Sequence, residues 1–154
     1  MTTVQENLKR LGIELPAAPK AVANYLPAVI AGDMVIVSGQ LPLKDGQLTV
    51  TGKLGDDVDV ETGYAAARQC AINAVAALSG VIDGDFGRVA QVVRVGGFVA
   101  SAAGFTDQPK VINGASDFMV EVFGEIGRHA RAAVGVAELP LGAAVEVEFT
   151  FRLK

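Results

Sequence analysis

Hydrophobic and polar residues alternate most regularly near the C-terminus of the chain, between residues 145 and 151. Because successive side chains of a β-strand point to opposite faces of the sheet, this alternation predicts a strand with one apolar and one polar face. The apolar face would carry Val145, Val147, Phe149 and Phe151, and the polar face Glu146, Glu148 and Thr150.

A second strand-like run, residues 132–136, begins directly after Arg131, and a Leu139-Pro140 corner separates the two runs. If the runs pair as neighbouring strands, a guanidinium and a carboxylate lie at one end of the sheet. Such a pair suits a carboxylate-binding site, because the guanidinium fork matches a planar carboxylate and a nearby acid can move a proton. The alternative is an edge-strand arginine beside a solvated acidic face.

Periodicity elsewhere predicts helices and further strands. Apolar residues at helical spacing favour helices at 2–11, 60–82 and 113–127, the last capped by Asn113 or Ser116. Apolar runs favour strands at 28–30, 34–37, 41–43, 47–50 and 89–99, the last buried on both faces, with turns at Gly32-Asp33 and at 44–46. A loop is expected at 101–110. Cys70 lies on the apolar stripe of the 60–82 helix, which favours a buried structural thiol over a reactive one.

Two helices packed on one face of a mixed sheet would bury these elements economically, which predicts the α+β class. We expect one domain over residues 1–154, in which residues 1–22 form an N-terminal helix and a connector.

Composition narrows the possible partners. The chain has 154 residues, of which 51% are hydrophobic, and its mean hydropathy is +0.39. Charge or glycine interrupts every apolar run before the ~18 residues of a membrane-spanning helix, so we expect the apolar surplus to form a subunit interface and no membrane contact. The net charge of −4, without a basic run, argues against a nucleic-acid partner.

Only one cysteine and one histidine are present, too few for a zinc site of the usual Cys/His kind, and we expect no metal or other cofactor. A lone cysteine fits a reducing compartment and the N-terminus lacks a secretory signal, so we expect a cytoplasmic location. His129 has no Ser or Cys partner in a recognisable motif, and a catalytic triad is not expected.

Two blocks of sequence resemble the RidA/YjgF family, also called the endoribonuclease L-PSP family. Arg131 is followed by a short strand, by Leu139-Pro140 and by a Val-Glu-Val-Glu strand that begins at Val145. Near the N-terminus, Tyr25 precedes a Ser-Gly-Gln-Leu-Pro turn at residues 38–42. Spacing within both blocks fits the family pattern without a gap, and the resemblance extends over about residues 22–153.

The resemblance implies a chorismate-mutase-like fold and a homotrimer with a barrel-like core, whose intersubunit clefts bind small carboxylate-bearing molecules. It also implies hydrolytic deamination of reactive enamines or imines, such as 2-aminoacrylate, to 2-keto acids and ammonia, without a cofactor. The alternative is a non-catalytic trimer that binds a small carboxylate metabolite. The ribonuclease label of some relatives fits poorly with an isoelectric point of about 4.9.

The resemblance also implies roles for individual residues. By motif position, Arg131 would grip the ligand carboxylate and Glu146 would activate a water or pass a proton. Tyr25 would close the cleft, while the Gly39 N–H and the backbone of Ala133 would add hydrogen bonds. Asn113 matches a family asparagine only with a one-residue gap.

Each of these roles has a structural alternative. Tyr25 could be an ordinary half-buried aromatic, and Gly39 could serve a β-bulge instead of a ligand. Glu148 shares the face of Glu146 and could be the functional acid. The chain also departs from the family pattern: Ala133 stands where the best-known branch usually has a cysteine, and the N-terminal helix and the 101–110 loop are additional.

Overall fold

Three α-helices and seven β-strands form the fold in the computed structural model, which describes residues 1–154. The helices are α1 (Val4–Arg10), α2 (Val60–Val81) and α3 (Gln108–Phe123). The strands are β1 (Ala28–Ala31), β2 (Met34–Gln40), β3 (Leu43–Lys44), β4 (Gln47–Leu48), β5 (Val89–Ala100), β6 (Ala130–Val136) and β7 (Val145–Leu153). Short 3₁₀ turns occupy residues 86–88, 124–127 and 140–142.

The first two helices lie where the sequence predicts them. Thr3 and Glu6 form a reciprocal capping box at the start of α1, and the Asp59 side chain accepts a hydrogen bond of 2.8 Å from the Thr62 N–H at the start of α2. Cys70 lies on the buried face of α2 and is completely buried, so the prediction of a buried thiol is confirmed.

The third helix differs from the predicted 113–127 helix at both ends. It begins at Gln108, because Pro109 fits the first turn of a helix, where its missing N–H would have no helical partner. It ends at Phe123, and Gly124 follows with a φ of 67°, a left-handed value that favours glycine. The predicted cap at Asn113 or Ser116 is therefore wrong: both residues lie inside the helix, and Asp107 holds the N-cap position.

Five strands form a mixed sheet in the order β1-β2-β7-β5-β6. All neighbouring strands are antiparallel except β5 and β6, which are parallel and joined through α3. The hypothesis that β6 and β7 are neighbours is wrong, because β5 lies between them. The physical reason is the crossover: parallel neighbours need a long connection, α3 supplies one for β5 and β6, and β7 then occupies the other edge of β5. Strands β3 and β4 form a separate hairpin.

One face of the sheet packs against α2 and α3. The predicted apolar face of β7 is confirmed, since its four inward side chains are at most 1% exposed: Val145, Val147, Phe149 and Phe151. On β5 the prediction of burial on both faces holds for one face only. Val95 is fully buried on the helix side, whereas Arg94 on the opposite side is exposed.

The opposite face of the sheet is open in the single chain. Val29, Ile36 and Val134 are 46%, 53% and 45% exposed there. Charged side chains also reach this face, and Arg94 and Glu148 form no ion pair within the chain. No helix combines the length and the apolar character needed to cross a bilayer. An open apolar sheet face is typical of a surface that contacts another chain.

Candidate functional site

Arg131 lies near the start of the edge strand β6, opposite Val95 of β5. Paired residues point to the same face of a sheet, so the half-buried Arg131 side chain lies on the helix side. Two contacts with α3 hold its guanidinium: Nη1 donates to the Ser116 Oγ at 3.0 Å and Nη2 donates to the Pro109 carbonyl at 3.1 Å. A guanidinium has five N–H donors, so three remain for a ligand.

Ser116 connects Arg131 to His129. The Ser116 Oγ lies 2.9 Å from the His129 Nε2, and the His129 Nδ1 lies 2.6 Å from the Gly127 carbonyl oxygen. This contact between a serine and His129 is not predicted by any motif in the sequence, which indicates Ser116 only as a possible helix cap. The spacing of Pro109 and Ser116, two turns apart on one helix face, is the signal that could have linked the serine to Arg131.

Asn113 and Ala133 lie on the same side of the sheet as Arg131. Asn113 is exposed, and helical spacing places it between Pro109 and Ser116 on the face of α3 that meets Arg131. Ala133 is half-buried and lies opposite Gly97. We call the following five residues the arginine half-site: Arg131, Asn113, Ser116, His129 and Ala133.

Glu146 lies near the start of β7, opposite Phe98 and on the open face. Burial raises the pKa of its carboxyl above the ordinary value, and the negative charge of Glu148 raises it further. The carboxyl has no hydrogen-bond donor within the chain and rests on the backbone of Gly39, where a Cβ atom would overlap with it. Gly39 therefore allows the close approach of a side chain of this chain, and it also lies within the segment between Val37 and Gln40 where the register with β7 shifts.

Tyr25 lies at the same end of the sheet as Glu146. It is 58% exposed, so the alternative of a half-buried aromatic is wrong for the single chain. The connection to β2 is fixed nearby, since the Ser38 Oγ donates a hydrogen bond of 2.6 Å to the Leu26 carbonyl. Tyr25, Gly39 and Glu146 form what we call the glutamate half-site.

The two half-sites are separate in one chain. Val95 and Phe98, which mark the levels of Arg131 and Glu146, are three residues apart on β5. With about 3.3 Å per residue and about 4.8 Å between strands, Arg131 and Glu146 lie roughly 14 Å apart along the sheet. The odd number of steps also puts their side chains on opposite faces. One small ligand cannot contact both residues of a single chain.

Three surface cavities of about 490, 500 and 610 Å³ are lined by other parts of the chain, and none includes Arg131, Glu146 or Gly39. No group of three or more His, Cys, Asp and Glu side chains is arranged to hold a metal ion. The two half-sites carry a guanidinium, an imidazole, a hydroxyl and a carboxyl, which are suited to hydrogen bonding, charge pairing and proton transfer.

The family model described as "YjgF/chorismate mutase-like, putative endoribonuclease" matches residues 5–151. This chain belongs to the YjgF family. Its fold is accordingly the α+β chorismate-mutase-like fold, with a mixed sheet and three helices.

Relatives of the chain carry different descriptions. Protein TCP17 of Trypanosoma cruzi is 51% identical over 146 residues, covering 94% of this chain and 91% of that protein. A 2-iminobutanoate/2-iminopropanoate deaminase of Dermatophagoides farinae is 32% identical over 138 residues, covering 88% and 91%. The crystal structure of Atu1372 from Agrobacterium tumefaciens, a protein of unknown function, superposes with a TM-score of 0.92 at 45% identity, covering 98% and 92%.

Proposed function

We propose that this protein hydrolyses reactive enamines or imines of the 2-aminoacrylate type to 2-keto acids and ammonia. The reaction would take place in clefts between the subunits of a homotrimer. The observation that carries the proposal is the pair of incomplete half-sites: a fixed guanidinium with free donors at a sheet edge, and a carboxyl of raised pKa on an open face. The similarity to an imine deaminase supports the same chemistry.

The separation of the half-sites supports an intersubunit cleft. An edge strand that presents Arg131 on one copy can lie beside the open face that presents Glu146 on the next copy. Repeating this contact around a threefold axis gives three equal clefts and leaves no half-site unused. The exposed Val29 and Ile36 would be covered, and the unpaired charges of Arg94 and Glu148 would gain partners from other copies.

In such a cleft, Arg131 would bind the substrate carboxylate through two of its free N–H donors. The backbones of Gly39 and Ala133, with Asn113 and Tyr25, would complete the walls around the bound molecule. Holding the imine carbon beside an ordered water replaces a random encounter with a positioned one.

Glu146 would carry the proton. For an imine, the ionised carboxylate accepts a proton from the water as the water oxygen bonds to the imine carbon, and Glu146 returns that proton to the imine nitrogen. The carbon–nitrogen bond of this carbinolamine then breaks as the hydroxyl proton passes through Glu146 to the nitrogen, so that the nitrogen leaves as ammonia and the oxygen becomes the keto group. A carboxyl group whose pKa is raised accepts and returns a proton more readily near neutral pH. An enamine is first protonated at its terminal carbon to give the imine.

The test is release of 2-keto acid from 2-aminoacrylate generated in situ by a dehydratase. Wild-type protein should accelerate release, and Arg131→Ala should lower kcat/KM by about 100-fold or more, because loss of a charge-assisted bidentate pair removes about 3 kcal/mol of binding. Arg10→Ala is the matched control, since Arg10 is exposed on α1, and light scattering verifies the assembly.

Two results would contradict the proposal. A correctly assembled wild-type protein that does not accelerate release, yet binds 2-ketobutyrate through Arg131, would be a non-catalytic carboxylate binder. Cleavage of RNA by the purified protein, independent of Arg131 and Glu146, would favour the ribonuclease function instead.

A further inference from the structure

His129, Ser116 and Arg131 form one continuous hydrogen-bonded chain on the helix side of the sheet edge. It runs from the Gly127 carbonyl to the His129 ring, from the ring to the Ser116 hydroxyl, and from the hydroxyl to the Arg131 guanidinium. The three links measure 2.6, 2.9 and 3.0 Å. We infer that Ser116 and His129 are positioning residues that fix Arg131 for binding a carboxylate.

The groups at the two ends of this hydrogen-bonded series, the Gly127 carbonyl and the Arg131 guanidinium, determine the direction of each hydrogen bond in it. A carbonyl oxygen can only accept, so the His129 Nδ1 carries the proton that points to Gly127. In the neutral ring the Nε2 is then an acceptor, and the Ser116 hydroxyl donates to it. The lone pairs of the Ser116 Oγ are thereby left for the N–H of Arg131. A hydroxyl alone could rotate between donor and acceptor roles, whereas one held by His129 presents an acceptor to Arg131.

The hydrogen-bonded series begins at a tightly packed part of the backbone. Gly127 is buried at the end of the 3₁₀ turn that follows α3, and a Cβ atom at Gly127 would overlap with the Met119 carbonyl of α3. This close packing holds the acceptor carbonyl in place. The second contact of Arg131, with the Pro109 carbonyl, comes from the other end of α3.

Two fixed contacts determine the plane of the guanidinium. An arginine side chain has large rotamer freedom, which a ligand must otherwise restrict when it binds. Fixing Nη1 and Nη2 before the ligand arrives reduces that cost and leaves three N–H donors for the two oxygens of a planar carboxylate. The class of ligand is therefore a small carboxylate that is bound by a preorganised arginine.

This inference rests on the proposed function for its kinetic test. Because Arg131 would hold the carboxylate in both ground and transition states, loss of its support should raise KM with little change in kcat. We expect Ser116→Ala and His129→Phe each to raise KM for 2-aminoacrylate, and the Kd for 2-ketobutyrate, by about fivefold to tenfold, the size expected for one lost hydrogen bond. Ser116→Thr, which keeps the hydroxyl, should stay within about twofold of wild type.

A matched control separates this effect from general damage to a helix. Ser79→Ala removes a half-buried serine from α2, where the side chain makes no hydrogen bond, and it should leave KM and Kd unchanged. Unchanged KM and Kd in Ser116→Ala, with an active wild type, would overturn the positioning role and leave the proposed function intact.

Nuclear magnetic resonance tests the same inference without a substrate. In ¹⁵N-labelled protein at mildly alkaline pH, His129 should be the Nδ1–H tautomer with an unprotonated Nε2. Arg131 should show separate Nη signals that merge in Ser116→Ala, because the freed guanidinium rotates. An Nε2–H tautomer would overturn the inference. If these signals appear as expected but wild type neither binds 2-ketobutyrate nor turns over 2-aminoacrylate, the proposed function fails and the positioning of Arg131 stands.

Discussion

The arginine and glutamate half-sites position groups of opposite charge through different interactions, hydrogen bonds in the first and packing in the second. Arg131 is held by two directed hydrogen bonds that it donates to α3, which fix the positions of two guanidinium nitrogens. Glu146 has no such partner, and its carboxyl packs on the backbone of Gly39. Hydrogen bonds favour the charged form of a group, whereas burial without a donor disfavours it.

This difference corresponds to the two tasks that we propose. A group that binds a ligand benefits from a fixed orientation and a permanent charge, and an arginine side chain stays protonated at physiological pH. A group that exchanges protons benefits from a pKa raised toward neutrality, which partial burial beside Glu148 provides for Glu146. The arginine half-site is therefore suited to binding, and the glutamate half-site to proton transfer.

The largest expected effect comes from mixing two inactive variants. Arg131→Ala and Glu146→Gln should each lose most of the deaminase activity. In randomly mixed trimers made by joint refolding, about a quarter of the clefts would receive an intact Arg131 from one copy and an intact Glu146 from the next, and activity should recover to about that fraction. Keto-acid release by the mixture, compared with each variant alone, measures the recovery.

Its control is a mixture of Arg131→Ala with the double variant Arg131→Ala/Glu146→Gln, in which no cleft can be complete. Absence of recovery from well-mixed trimers would mean that Arg131 and Glu146 do not meet across the proposed subunit contact.

An intermediate effect is expected from a methyl group at Gly39. Gly39→Ala would push the Glu146 carboxylate from its place and should lower kcat about tenfold, because the proton-transfer group is displaced. The free energy of unfolding should change by less than about 1 kcal/mol, since the overlap is with a movable side chain. Turnover and thermal unfolding of the same sample separate the two effects.

Gly96→Ala provides the matched comparison, because a Cβ atom there would lie 2.7 Å from the Glu148 Oε1. It should leave kcat nearly unchanged if Glu146 is the functional acid. If kcat instead falls more in Gly96→Ala than in Gly39→Ala, proton transfer would be assigned to Glu148.

The smallest expected effect is on the pH dependence of the free energy of unfolding. Burial, and then the charge of Glu148, raise the pKa of Glu146 in the folded chain, so the folded state binds more protons than the unfolded state between the two pKa values. Ionised Glu146 therefore destabilises the fold above its folded pKa, and the cost disappears as the pH falls below the unfolded pKa. Glu146→Gln should be more stable than wild type at neutral pH, by less than about 1 kcal/mol because the carboxyl is partly exposed.

Denaturant unfolding at fixed subunit concentration measures this difference at neutral pH and near the ordinary pKa of a glutamate, about 4.3. The difference should shrink at the lower pH and also in a Glu148→Gln background, which removes the neighbouring charge. A difference that grows as the pH falls would show that Glu146 is stabilised by an interaction with its charged form.

Local patterns in the sequence determined much of the architecture. The alternation at residues 145–151 fixed the buried face of β7, and the stripe at 60–82 located α2 and the buried Cys70. The apolar stripe predicts the wrong bounds for α3, because Pro109 and the left-handed Gly124 determine where the helix begins and ends. Such patterns act over a few residues and are visible without knowledge of the fold.

Only the tertiary structure decided how the candidate residues are arranged. The crossover through α3 placed β5 between β6 and β7, and the register then put Arg131 and Glu146 on opposite faces. The same crossover brought Ser116 of α3 beside His129 and Arg131. Strand order and register arise from contacts between distant parts of the chain, and alternation within one strand reveals its faces but not its neighbours.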